Sequence, residues 1–243
     1  MFITQITSLL LFPRRGFPRF GVDCFMRRSL RENTKCELVL DAGAGSSPYR
    51  KLIRGIYHSC DFPQTNPSAE SAQHTFLCDL ASLPVEDNTY STVICNQVLE
   101  HVRDPQTVID ELFRVLKPAG KLILTAPGCY GEHMIPFNYY NFLQYGLTML
   151  LENTGFKEIR VSALGGVFWV LGKTMQEAGE TVMRKLCPQK GMLYSLLLIL
   201  FRAALLPISV LMYCLDPLDQ EKKWTLNYGC MAIKPGSCLS ERL

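Results

Sequence analysis

The stretch Val39–Tyr49, VLDAGAGSSPY, runs an apolar segment into an aspartate, two glycines, two serines and a proline. In an open α/β sheet, ligands sit beyond the carboxyl ends of the strands, where strand order reverses. Glycines at such a place let the backbone turn sharply and come close to a ligand, and the following helix end offers free N–H groups. An ordinary strand-to-helix turn could use the same residues, so the surrounding sequence has to decide.

From Glu37 onward, short β-type runs alternate with helical patterns. ELVLD (37–41), GIYHSCD (55–61), HTFLCDL (74–80), STVICN (91–96) and GKLILTAP (120–127) read as strands. Between the last two, Val108, Ile109, Leu112, Phe113 and Leu116 fall on one helical face. Asp104 is the expected N-cap, Pro105 the first helical residue, and Lys117–Pro118 the close. A second helix is expected over 140–156, with Leu143, Leu147, Leu150 and Leu151 on one face and Gly155 at its end. KEIRVSA (157–163) and WTLNYGCMAIK (224–234) complete the strands. Strands alternating with helices predict an α/β fold, a parallel, doubly wound sheet covered on both faces.

The second and third strands both end in carboxylates. Asp61 follows the glycines by about twenty residues, where an acidic side chain accepts ribose hydroxyls. Asp79 closes the third strand beside Leu80, a carboxylate for an exocyclic amine next to an apolar wall for a ring. A dinucleotide fingerprint needs a third glycine where this chain has Pro48, which argues against a nicotinamide or flavin oxidoreductase.

Taken together, VLDAGAG, the aspartate ending strand two, CDL, VICNQVLEHVRDP and ELFRVLKPAGKLILTAP resemble the class I S-adenosylmethionine-dependent methyltransferases, in the type 11 branch. The likeness covers about residues 37–163 and the last strand near 225–234. It implies a seven-stranded Rossmann-like sheet with an antiparallel last strand, and S-adenosyl-L-methionine as cofactor. Residue by residue, it implies that Asp41, Gly43 and Gly45 surround the methionine end, and that Asp61 holds the ribose. Asp79 and Leu80 would hold the adenine, and Asn96 and Gln97 would line the sulfonium side. Ser47 stands where many relatives have a third glycine, a change of small cost if its φ is negative. In the loop PGCYGEHMIPFNYYNF, His133 is the candidate general base, with Asn138 and Asn141 where relatives carry Asp and Arg. His101 is read as a brace for the strand-four loop in preference to a group that abstracts a proton, and Tyr139 and Tyr140 either as acceptor-pocket walls or as helix-start packing.

Composition narrows the function classes. The chain has 243 residues, 48% hydrophobic, with a net charge of +3. Its first 35 residues hold seven Lys and Arg against Asp23 and Glu32, a local +5, so the remainder is slightly acidic. No basic groove with interleaved aromatics suggests a nucleic-acid partner. The 10 cysteines form no CxxC pair and read as reduced core thiols of a cytoplasmic protein. The four histidines show no HxxxH spacing, and no metal is expected. The start MFITQITSLLLFPRRGF places its charges after its apolar stretch, the reverse of a secretory signal, and suits an interfacial anchor.

Residues 1–35 thus read as a basic apolar N-terminal arm, and 36–243 as the S-adenosylmethionine-binding methyltransferase domain with an apolar helical insertion at 174–216. Its core, Gly191–Leu215, is long enough to cross a bilayer. Arg202 near its centre, Pro207 as an interruption, and the need to return to the same sheet all oppose a single crossing. Two readings remain, a buried helical cap or a bent hairpin in the membrane interface. The expected activity is methyl transfer to a small or lipid-like acceptor, with peripheral membrane contact. The alternative is a non-catalytic module of the same fold serving as a membrane-associated partner. Oligomeric state is not encoded in any pattern here.

Overall fold

The computed structural model describes residues 16–33, 38–62, 74–186 and 191–236. The apolar start, residues 1–15, lies outside them. Seven strands form one sheet: β1 (Leu38–Ala42), β2 (Ile56–Asp61), β3 (Phe76–Leu77), β4 (Tyr90–Asn96), β5 (Leu116–Pro127), β6 (Lys157–Leu164) and β7 (Asn227–Ile233). Their order is β3-β2-β1-β4-β5-β7-β6. The strands from β3 to β5 run parallel, and β7 runs antiparallel to β5. The order reverses between β1 and β4, so the carboxyl ends of these two strands frame the ligand position that such a topology creates.

Residues 22–162 with 227–236 form one compact unit around this sheet. Val39, Leu40, Val93, Ile94, Leu122, Ile123 and Leu124 are fully buried, as a strand covered on both faces requires. Residues 16–33, placed in the arm from sequence, form helix α1 (Gly16–Asn33). Val22, Met26 and Leu30 recur every four residues and bury one of its faces, and the Phe25 ring lies so close to Gly229 that a β-carbon there would sit 2.8 Å away. Helix α2 (Pro105–Val115) starts as expected, with the Asp104 carboxylate accepting from Gln106 and Thr107 N–H. It ends at Val115, earlier than read from sequence, because Pro118 disfavours the helical region for the residue before it. The chain passes directly into β5, with Ala119 at φ +62 and its N–H donating to the Lys234 carbonyl. Helix α3 (Gln144–Thr154) starts later than expected, which leaves Tyr139, Tyr140 and the exposed Leu143 outside it; Leu147 and Leu151 are buried and Gly155 closes it at φ +102.

Residues 16–21 with 163–226 form the other unit, built on α4 (Val167–Leu186) and α5 (Met192–Leu215). Asp216 and Asp219, just beyond α5, accept from Gly166 and Val167 N–H and cap the start of α4. Lys222 pairs with Asp216 to complete this clasp. Helix α5 continues through Pro207, where the sequence suggested an interruption. It is not a buried cap either: Leu196, Ile199, Leu200 and Leu211 are each more than half exposed.

Candidate functional site

A cavity of about 550 Å³ opens at the carboxyl ends of β1, β2 and β4. Gly43, Asp61, Asp79 and Leu80 line it from one side, and Val98, His101, Val102, Phe137 and Tyr139 form much of the other. Four of the nine residues expected at the site therefore share one cleft. The volume falls within the range of small-molecule sites, and the walls are largely apolar with few polar groups, as such sites require.

The glycine loop shows why its residues are fixed. Gly43 and Ala44 both donate to the Cys60 carbonyl, at 2.9 and 3.0 Å, folding the loop back over the end of β2. Gly43 has φ +74, and a β-carbon there would lie 2.5 Å from a Val98 methyl, so no side chain fits. Gly45 has φ +54, and a β-carbon there would meet nothing within 4 Å, leaving the backbone open to an approaching group. Its N–H donates to Asp61 Oδ2 at 3.0 Å, while Phe62 N–H donates to Oδ1 at 2.8 Å. Asp61 lines the cavity with both oxygens held by these backbone bonds. Its buried neighbour His74 brings Nε2 to 3.9 Å of Oδ2.

Asp79 lies beyond β3, which is only two residues long, shorter than the sequence suggested. A turn holds it there: its carboxylate accepts from Ala81 N–H and its carbonyl from Ser82 N–H. Ser47 adopts φ +49, so the condition under which its presence would cost little is not met.

Other expected residues sit behind the cavity wall. Asp41 is buried and accepts from the Tyr57 hydroxyl at 2.7 Å, rather than lining the cavity. Burial pushes its carboxyl up to about 6; the Tyr57 bond opposes that rise and the nearby Asp61 charge adds to it. Thr125 on β5 donates to Asn96 and accepts from the Gln97 side chain, so these two tie the ends of β4 and β5 together instead of facing the cavity. Gln97 takes φ +56 to do so.

His133 also lies one layer back. Its ring packs edge-on against His101, with centroids 4.8 Å apart, and Nδ1 lies 3.2 Å from the Gly131 carbonyl. The surrounding loop closes on itself: His133 N–H donates to Asn138, and Asn141 donates to the Tyr130 carbonyl. His101 is the histidine that reaches the cavity. Its Nδ1 pairs with the Phe137 carbonyl, which accepts, so the N–H sits on Nδ1 and Nε2 keeps its lone pair in the neutral ring. Burial holds its pKa below the usual histidine range; the Phe137 bond opposes this and the neighbouring His133 reinforces it. The fully buried Glu100 places Oε1 3.8 Å from Nε2. Glu100, His101 and His133 offer ligand atoms within 4.8 Å of one another, a group that could hold a metal ion and that histidine spacing alone did not reveal. Arg103 stacks over Tyr139, with the guanidinium carbon 5.8 Å from the ring centre, and closes the far wall.

A family model for the methyltransferase domain matches residues 40–124, from the end of β1 to the middle of β5. The match, over about a third of the chain, supports a class I S-adenosylmethionine-dependent methyltransferase domain of the type 11 branch. Over 142 residues the chain is 32% identical to a ubiquinone/menaquinone biosynthesis C-methyltransferase from Desulfotalea psychrophila, covering 53% of this chain and 56% of that one. Over 138 residues it is 26% identical to cycloartenol-C-24-methyltransferase 1 from Oryza sativa subsp. japonica, covering 54% and 36% of the two chains. The matches thus span less than two thirds of these curated relatives. Among solved structures, a methyltransferase from Archaeoglobus fulgidus superposes with a TM-score of 0.56 at 15% identity, covering 94% of this chain and 99% of that one, which shows a shared fold. The matched segment contains the glycine loop and both cavity aspartates.

Proposed function

We propose that the chain is an enzyme that transfers a methyl group from S-adenosylmethionine to a small or lipid-like acceptor. One observation carries this reading: Gly43, Asp61 and Asp79, from three successive strand ends, face a single cavity. The residues fit the cofactor. Asp61 would receive the two ribose hydroxyls, because the Gly45 and Phe62 N–H groups fix both of its oxygens at the cavity. Asp79 and Leu80 would receive the adenine amine and ring face, and the open backbone at Gly45 leaves room for the methionine end. When bound, the cofactor supplies a methyl group already activated on a sulfonium.

The chain's own work is then placement and proton handling. Val98, Val102, Phe137 and Tyr139 form an apolar acceptor wall that excludes water and suits a hydrocarbon-bearing molecule. Holding two reactants in line contributes roughly 7–11 kcal/mol without any acid or base. If the acceptor carries an acidic proton, Nε2 of His101 is the cavity-facing group able to take it, with Nδ1 fixed on Phe137 and His133 supporting the ring from behind. The quinone and sterol chemistry named for the two curated relatives supports an apolar acceptor. The test is incubation with methyl-labelled cofactor and a cell lipid extract. Label in the organic phase is expected; label in neither the organic nor the aqueous small-molecule fraction would refute transfer to such acceptors.

A further inference from the structure

We propose that one face of the α4–α5 hairpin docks on an anionic phospholipid membrane, with α5 lying in the plane of the interface. The inference does not depend on the chemistry of the cavity. The two helices run antiparallel: Gly172 packs against Met212, Gln176 donates to Ser209, and a side chain on Gly179 would collide with the Phe201 ring. In an antiparallel pair, the residue preceding each contact residue points to the same side of both helices, since each step turns 100° in opposite senses about the shared contact plane. Those preceding residues are Leu171, Met175 and Ala178 on α4, and Leu200, Ile208 and Leu211 on α5. All six are exposed, the five large ones between 38% and 56%. Among the residues following the contacts, which face the opposite side, Tyr213 and Lys173 are covered and Glu177 and Glu180 are charged. Tyr213 stacks on Trp169 and Phe20, and Lys173 is buried and paired with Glu177.

Five large apolar side chains on one side of a hairpin make a patch that a water-facing surface rarely carries. Residues 199–218 are long and apolar enough to cross a membrane by length and composition, yet only 12% of that window is buried. The core of a soluble protein does not account for such a helix. Charge decides the occupant: from Thr181 to Leu215 the sequence carries four basic residues and no acidic one. Arg184 and Lys185 are exposed in the last turn of α4. Cations beside an apolar face match an anionic lipid surface, where the face sinks to the acyl boundary and the charges meet headgroups. The hairpin lies on the membrane rather than across it. It joins two neighbouring strands of one sheet, β6 and β7, so the chain must return to the side it left. Helix α4 also carries Lys173, Glu177, Glu180, Arg184 and Lys185, which would not enter hydrocarbon.

The test is flotation of the full chain with vesicles of phosphatidylcholine alone and of phosphatidylcholine mixed with phosphatidylserine. Flotation with the mixed vesicles is expected, weakening as salt rises. Leu200→Ser with Leu211→Ser should lower the bound fraction roughly tenfold or more, since each removes an apolar side chain from the buried face. Arg184→Gln with Lys185→Gln should remove most of the salt dependence, while Leu143→Ser, an exposed leucine in the other unit, should change nothing. Because the substituted residues are exposed, melting curves will show the variants folded. A wild-type chain that stays at the bottom of the gradient with both vesicles would overturn the proposal, as would a serine variant that floats equally well. Dimerisation abolished by the serine substitutions, without flotation of the wild type, would overturn it in favour of a second copy on this face.

Discussion

Asp61→Ala tests the site at the residue that does two things at once. Its carboxylate holds the Gly45 and Phe62 N–H groups and lines the cavity. A hydrogen bond to a charged acceptor contributes about 1.5–3 kcal/mol. Loss of both bonds to the ribose diol therefore costs about 3–6 kcal/mol of binding, a rise in Kd of roughly a hundredfold to ten-thousandfold. Release of the Gly45 loop adds to this without further contact. Isothermal titration with S-adenosylmethionine and with S-adenosylhomocysteine should show the same loss for both, because the diol is common to them. Asp61→Asn should fall between wild type and alanine: it keeps one acceptor but turns an amide toward a backbone N–H. A Kd within threefold of wild type for a folded Asp61→Ala would refute the placement of the ribose at β2.

Three further outcomes follow from local geometry. Gly43→Ala should destabilise by about 2–5 kcal/mol, combining a left-handed alanine with a β-carbon 2.5 Å from Val98, as read from urea midpoints. Asp41→Asn should stabilise by about 2–3 kcal/mol near neutral pH: the folded carboxyl sits at about 6 against an ordinary 3.8, so folded chains keep a proton that unfolded chains have lost. Wild-type stability then falls as pH rises through that window, and the asparagine variant should lose that slope and converge with wild type toward pH 4. Ser47→Gly should stabilise by about 1 kcal/mol by relieving φ +49, visible as a higher melting temperature.

Strand ends were the most legible part of the chain. The doubly wound sheet follows from the alternation of β-type and helical runs, and the aspartates at the ends of β2 and the short β3 follow from their place at those ends. Side-chain direction was not legible. Asp41 belongs to the same motif as Gly43, but its pleat aims it at Tyr57 on the neighbouring strand. Asn96 and Gln97 follow the right strand, yet both are taken up by Thr125, a partner 28 or more residues away that no local pattern announces. The histidines show the same limit. The family resemblance singled out His133 in the loop, while the fold lines the cavity with His101 and packs His133 against its ring. Tyr139, readable from sequence either as a wall or as helix-start packing, lies before the start of α3 and lines the cavity. In α5, composition announced a long apolar helix; which side of it faces water depends on the pairing with α4, which sequence periodicity does not fix.

Calorimetric titration of the purified wild-type chain with S-adenosylmethionine tests the central claim most directly. One molecule should bind per chain, and adenine or ribose analogues lacking either hydroxyl or the exocyclic amine should bind measurably more weakly. A folded chain that gives no heat and no rise in melting temperature at millimolar cofactor would contradict the account.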